Sequence, residues 1–253
     1  MNTVWLRNIE VGAGRPKVIV PIVAATKEEI LAKAKSPLQL QFDVVEWRVD
    51  FFQSALETDC VLEVLADLRT VLGDIPILAT FRTKKEGGER EITSRQYTDL
   101  NTAMARSGLV DAVDVEILSG DDVVEENIRS LHQAGVKVVG SSHEFGFTPT
   151  QEELVARLCK EQEMGCDILK VAVMPQCPKD VLTLLAATEE MCRQYARQPV
   201  VTMSMSGQGV ISRLCGEVFG SAMTFGAVGQ ISAPGQIQVE DLNRVLQIIH
   251  RAM

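Results

Sequence analysis

The sequence predicts an α/β fold, a single (β/α)8 TIM barrel spanning residues 1–253 with a short N-terminal β-hairpin, on three observations. Apolar, β-rich runs alternate with helical patterns eight times along the chain. The repeat is about thirty residues, the length of a βαβ crossover. The strand runs are nearly continuous in apolar residues, as expected of parallel strands buried on both faces. Eight such units in 253 residues favour closure over an open doubly wound sheet, and no Gly-x-Gly-x-x-Gly follows the first strand run to suggest a dinucleotide site.

The elements follow in order. Residues 3–11 suit a small hairpin with Arg7-Asn8 at its turn, placed to plug the barrel end remote from the active site. The first barrel strand covers 17–24, and Thr26-Lys27-Glu28-Glu29 opens the first helix. Strands are then expected over 43–50, 75–82, 109–118, 136–143, 167–174, 199–205 and 222–228. The matching helices cover 59–72, 93–107, 121–134, 150–164, 179–195, 210–219 and 239–251. Thr150-Gln151-Glu152-Glu153 has the spacing of a capping box, and Gly135 and Gly165 stand where helices should stop.

Composition narrows the function classes. A formal charge of −9, with no dense Lys/Arg stripe, argues against a nucleic-acid surface. No apolar run approaches the roughly eighteen residues of a membrane span, and the N-terminus has no signal-peptide core, so a soluble cytoplasmic protein is expected. The six cysteines show no Cys-x-x-Cys and the three histidines no metal-ligand spacing, so reduced structural thiols and no metal are expected.

A barrel carries its active site at the C-terminal ends of its strands, so polar residues there are the candidates. Lys170 is the only cation in the run 166–175, which otherwise reads as a buried strand. It is either a Schiff-base amine or a strand-end lysine reaching solvent. In Val45-Glu46-Trp47-Arg48-Val49-Asp50 the period of two puts Glu46, Arg48 and Asp50 on one face and Trp47 on the other. Arg82 ends the third strand, and Glu86 lies in the glycine-containing loop after it. His143 ends the strand one unit before Lys170, so neighbouring strands can bring the two together. Ser206-Gly207-Gln208-Gly209 can form an anion nest, with Arg213 one turn inside the helix it opens. The loop holding Ser232, Pro234, Gly235 and Gln236 suits a lid, or is an ordinary βα turn.

These residues, in this order, resemble type I 3-dehydroquinate dehydratases over nearly the whole chain. The resemblance runs through Glu46-Trp47-Arg48-Val49-Asp50, Thr80-Phe81-Arg82, Glu86-Gly87-Gly88-Glu89, Ser142-His143, Lys170-Val171-Ala172-Val173-Met174-Pro175-Gln176, Met203-Ser204-Met205-Ser206, Gly209-Val210-Ile211-Ser212-Arg213 and Ser232-Ala233-Pro234-Gly235-Gln236. It departs from the family pattern at Pro21, Leu169 and Gly207-Gln208, none of which removes a chemical group the reaction needs. The resemblance implies a lyase that removes water from 3-dehydroquinate to give 3-dehydroshikimate, in the shikimate route to aromatic amino acids. It implies that Lys170 forms the imine, His143 shuttles protons and Glu86 orients the imidazole. Arg213 would hold the substrate carboxylate, and Glu46, Arg48, Arg82, Ser232 and Gln236 would bind its hydroxyls or close over it. It also implies a homodimer that uses neither metal nor cofactor.

The chemistry suits these groups. A protonated imine is an electron sink that acidifies the α C–H of a β-hydroxy ketone. At a reference pKa near 10.4 only about 1 in 2,500 lysine amines is neutral at pH 7, so burial and nearby arginines such as Arg48 are expected to favour the neutral amine. Two rivals share parts of the pattern: a class I aldolase anchoring a phosphate on the 206–209 nest, and a catalytically silent ligand-binding barrel.

Overall fold

The computed structural model describes residues 2–229 and 235–253. The N-terminal hairpin is present as β1 (Val4–Leu6) and β2 (Ile9–Val11), antiparallel, with Arg7 at the turn in the left-handed region, φ 52°. Eight parallel strands follow: β3 (Lys17–Ile22), β4 (Val44–Arg48), β5 (Ile77–Thr80), β6 (Ala112–Glu116), β7 (Lys137–Glu144), β8 (Ile168–Val173), β9 (Val200–Ser204) and β10 (Met223–Ala227). They pair in the order β10-β3-β4-β5-β6-β7-β8-β9. A parallel bridge between Val200 and Ser221, with Ala222 N–H donating to Val200 O at 2.7 Å, joins β9 to the start of β10 and closes the barrel. A short β11 (Ile237–Gln238) pairs outside β10, an addition the apolar pattern does not announce.

The helices are α1 (Lys27–Lys35), α2 (Thr58–Leu72), α3 (Ser94–Arg106), α4 (Asp121–Gln133), α5 (Gln151–Glu163), α6 (Pro178–Glu190), α7 (Val210–Leu214), α8 (Gly216–Phe219) and α9 (Val239–Ala252). Full capping boxes start α1 at Thr26/Glu29 and α3 at Thr93/Gln96; Thr150 caps α5 by accepting from Glu153 N–H. Gly135 and Gly165 take positive φ behind α4 and α5 as expected. Two helices differ from expectation. The stretch 179–195 is α-helical only to Glu190 and continues as a π-helical turn, Met191–Tyr195. The stretch 210–219 breaks at Cys215, and the residue after the break, Gly216, packs so closely on the Ser221 carbonyl that no side chain fits there.

Alternation sorts the strand residues into two cores. Val45, Trp47, Ala79, Phe81, Val113, Val115, Leu169 and Val171 face outward under the helices. Ile19, Val44, Leu78, Ala112, Val139, Ile168, Val201 and Met223 face inward, and Val4, Leu6 and Val11 of the hairpin pack against them. The hairpin therefore seals the N-terminal end of the barrel. Further along the same strands the inward face gains Glu46, Thr80, Asp114, Glu116, Ser141 and Lys170 among apolar residues such as Ala172, Met203 and Phe225, so charge gathers toward the end where the strands finish.

Candidate active site

A cavity of about 270 Å³ opens at that end. Its lining includes Glu46, Arg48, Arg82, His143, Lys170, Arg213 and Gln236, seven of the nine residues singled out from the sequence. Glu86 stands behind His143, bonded to it and lining a neighbouring cavity. Ser232 lies outside the described residues. The 206–209 turn, on which the aldolase alternative would anchor a phosphate, is not among the residues lining the cavity.

Lys170 projects inward from the middle of β8 and is 4% exposed. Its Nζ donates to Asp114 Oδ2 at 3.0 Å, lies 3.9 Å from Glu46 Oε1, and sits 5.1 Å from the centre of the Phe225 ring. The charged partners of the amine are thus carboxylates, in place of the arginines expected to surround it. Burial of this lysine is tolerable because its charged form is paired, and the ring shields it from water.

Asp114 is the hub of the site. It also accepts from Arg82 Nη2 at 2.8 Å and Ser141 Oγ at 2.7 Å. Burial alone would raise its pKa, but the Arg82 guanidinium and the Lys170 ammonium outweigh burial and hold the carboxyl well below the usual range. Arg82 is bound on every side: Nη1 donates to Glu116 Oε1 at 2.9 Å and Ser141 Oγ at 3.1 Å, and lies 3.7 Å from Glu86 Oε2. Glu116 in turn accepts from the Thr83 backbone and hydroxyl, both at 2.7 Å, which anchors the loop after β5.

That loop places Glu86. Gly88 passes so close to the Arg82 carbonyl that any Cβ would collide with backbone, and Gly87, at φ 79°, leaves room for the Phe145 ring. Glu86 Oε2 accepts from the His143 backbone N–H at 3.1 Å and lies 2.9 Å from His143 Nδ1. A backbone N–H only donates, so Oε2 is an acceptor. Glu86 thereby orients the ring through Nδ1 and leaves Nε2 as the nitrogen it does not engage. Burial, reinforced by Arg82 and Lys170, pushes the His143 pKa well below its ordinary value, so the imidazole is neutral at pH 7. Burial lifts Glu86 to about 8; Arg82 opposes this, while Glu116 and Asp114 add to it.

On β4, Glu46 Oε1 accepts from Thr80 Oγ1 at 3.0 Å. Arg48 donates twice to Asp50, 2.9 Å in each case, and stacks on Phe51 at 5.0 Å. Asp50 is not on the strand face as the alternation suggested. The chain leaves β4 in a 3-10 turn, Val49–Phe51, that buries Asp50 completely, where it also receives the backbone N–H groups of Arg82 and Glu89. Across the cavity Arg213 is 2% exposed, Nη1 lies 3.8 Å from Met203 Sδ, and burial pushes its pKa down to about 10. An arginine that remains charged while largely desolvated is a strong carboxylate binder. Among the described residues, no group of three or more His, Cys, Asp or Glu side chains is placed to hold a metal ion, and no helix is long and apolar enough to cross a membrane.

Sequence reasoning passed over Asp114, Glu116 and Ser141. Asp114 and Glu116 alternate on their strand just as Glu46 and Arg48 do, so the signal was there.

The model of the type I 3-dehydroquinase family matches residues 18–253. The chain belongs to this family. It is 51% identical over 250 residues to a 3-dehydroquinate dehydratase of Clostridioides difficile, covering 99% of this chain and 98% of the relative. It is 52% identical over 252 residues to one of Salmonella typhimurium, covering all of both. The solved structure of a type I enzyme from C. difficile, with covalently modified comenic acid, superposes with a TM-score of 0.97 over 100% of this chain and 99% of that one, at 51% identity. That of a 3-dehydroquinate dehydratase from Geobacillus kaustophilus gives 0.96 at 39% identity, over 99% and 97%.

Proposed function

We propose that this type I 3-dehydroquinase family member eliminates water from 3-dehydroquinate through a Schiff base on Lys170. The observation that carries the reading is the pairing of a buried amine with a neutral imidazole on adjacent strands. Ser141 is the register partner of Lys170, so His143 stands two residues nearer the cavity mouth. With a rise of about 3.3 Å per residue and strands about 4.8 Å apart, the two Cα atoms are roughly 8 Å apart, enough for a six-membered ring to lie between the functional groups.

In this reading the Lys170 ammonium lends its proton to the neutral His143 imidazole, the freed amine adds to the C3 ketone, and return of that proton to the carbinolamine hydroxyl expels water and leaves the protonated imine. His143 Nε2 takes the C2 proton, the electrons move into the iminium, and the protonated imidazole returns a proton to the departing C1 hydroxyl. Hydrolysis of the imine frees Lys170 and the enone product. Arg213 anchors the carboxylate, while Glu46, Arg48 and Arg82 supply the polar wall; Ser232 and Gln236 belong to the loop that closes over it. The reading takes in a place in the shikimate pathway, a cytoplasmic homodimer, and no need for metal or cofactor. The covalent ligand of the C. difficile relative supports a covalent route.

Borohydride added with 3-dehydroquinate should inactivate the enzyme and leave a substrate-sized adduct on the peptide carrying Lys170. Lys170→Ala should be inactive and unlabelled. An active Lys170→Ala variant would overturn the proposal.

A further inference from the structure

Behind Lys170, on the side away from the cavity, lies a second buried acid that the reaction does not use. Glu161, on the last turn of α5, is fully buried, and its Oε2 accepts the backbone N–H of Lys170 at 2.8 Å. Backbone N–H groups of a parallel strand ordinarily donate to a carbonyl of the neighbouring strand. Here a helix side chain reaches into the sheet and takes the N–H of the reactive residue itself. Room for it is made by Gly140 on β7, where any side chain would run into Cys166 and crowd the Glu161 Cβ. Gly140 is the register partner of Leu169, one residue from Lys170.

Among the described residues no salt bridge reaches Glu161; besides the Lys170 N–H, the main groups acting on it are the Ser142 hydroxyl and the negative charges of Asp114 and Glu86. Burial, reinforced by those two carboxylates, pushes its pKa well above the ordinary value. Ser142 acts on it as a nearby hydroxyl, but neither Ser142 Oγ nor Glu161 Oε1 reaches a partner within hydrogen-bond geometry.

We propose that Glu161 is a positioning residue for Lys170, holding the backbone of β8 from outside the barrel so that the amine stands at a fixed height against Asp114 and His143. The inference rests on the Schiff-base reading above and adds a residue to it. Because only the backbone of Lys170 is touched, the substrate-binding wall is untouched, and the effect should fall on turnover. Misplacement of a reacting group by about 1 Å can lower a rate about a hundredfold.

The test compares Glu161→Gln, Glu161→Asp and Glu161→Ala in the full chain, with folding checked by circular dichroism. Turnover is followed through the enone absorbance, and imine through borohydride labelling. The amide of glutamine accepts from the same N–H and is neutral, so Glu161→Gln should keep kcat within about threefold of the parent. Aspartate falls one methylene short, and alanine offers nothing. Both should lose about 10- to 100-fold in kcat with KM within about threefold, and label more slowly with borohydride. If the alanine variant does not fold, the contrast between Asp and Gln decides alone. A folded Glu161→Asp or Glu161→Ala variant with kcat within twofold of the parent overturns the inference, as does a glutamine variant that falls as far as alanine. Failure of the parent itself to label would instead overturn the Schiff-base reading.

Discussion

Replacing Asp114 with alanine removes a carboxylate shared by two buried cations of the site, Lys170 and Arg82. Asp114 accepts from Lys170 at 3.0 Å and from Arg82 at 2.8 Å, and is itself fully buried. Removing one partner of a buried ion pair generally costs about 3–5 kcal/mol, because the remaining charge cannot return to water. The lower end applies here, since Arg82 keeps Glu116 at 2.9 Å and Lys170 keeps Glu46 at 3.9 Å. At about 2–4 °C per kcal/mol for a chain of this size, a loss of about 3 kcal/mol lowers Tm by about 6–12 °C. Thermal unfolding at pH 7 and physiological salt measures it. A cycle with Lys170→Met isolates the pair: with the ammonium gone, Asp114→Ala should cost less than in the parent. Linkage gives a second check. The folded pKa of Asp114 is depressed, so its contribution is complete above the unfolded value near 3.9 and fades as pH falls below it. The Tm gap between variant and parent should therefore narrow in acid. A variant that melts within 2 °C of the parent at pH 7 would show that Asp114 does not carry the charge balance of the site.

Three further outcomes follow from the geometry. His143→Ala should lose most turnover yet still yield a borohydride-trapped adduct, since the amine and Asp114 remain; absence of any adduct would make His143 structural. Glu86→Gln should slow turnover less than His143→Ala, because the amide oxygen still accepts both the backbone and ring N–H groups of His143; an equal loss would mean that the charge of Glu86 is required. Its stability should also change with pH in a set direction. With the folded pKa raised to about 8 from an ordinary 4.5, the folded parent binds more protons than the unfolded chain between those values and loses stability as pH rises through them. The Tm of Glu86→Gln relative to the parent should then be higher at pH 8.5 than at pH 5, and a constant difference would refute the raised pKa.

The barrel was legible because its determinants are local and repeated. The alternation of strand and helix periods occurs eight times over, helix caps and glycine stops mark some of the boundaries, and an error at one boundary does not disturb the count. The hairpin plug was legible for a similar reason: Val4, Leu6 and Val11 are short-range apolar signals next to a two-residue turn. The π-helical turn at Met191–Tyr195 and the break at Cys215 were not, since both depend on what the helix meets in space. Gly216 shows this: within the sequence it is one glycine in a helical pattern, and only the fold reveals the Ser221 carbonyl against it.

The site divides along the same line. Glu46, Arg48, Arg82, His143 and Lys170 stand within or just beyond the strand runs, where an apolar pattern makes each charge conspicuous. Asp114 and Glu116 broke the pattern as clearly, and they went unassigned because their function is to balance cations contributed by other strands. Tyr97 and Glu161 could not be read at all. They sit on α3 and α5, where polar residues are ordinary, yet Tyr97 Oη donates to Asp114 O at 3.2 Å and accepts from Glu116 N at 3.1 Å, while Glu161 takes the N–H of Lys170. Both act on strand backbone from the helix layer, and each meets the strand that carries a partner of the central ion pair. The inward face thus supplies the chemistry, while helix residues behind the strands fix the height at which it stands. This second set of residues is recognisable only from the packing of the folded chain.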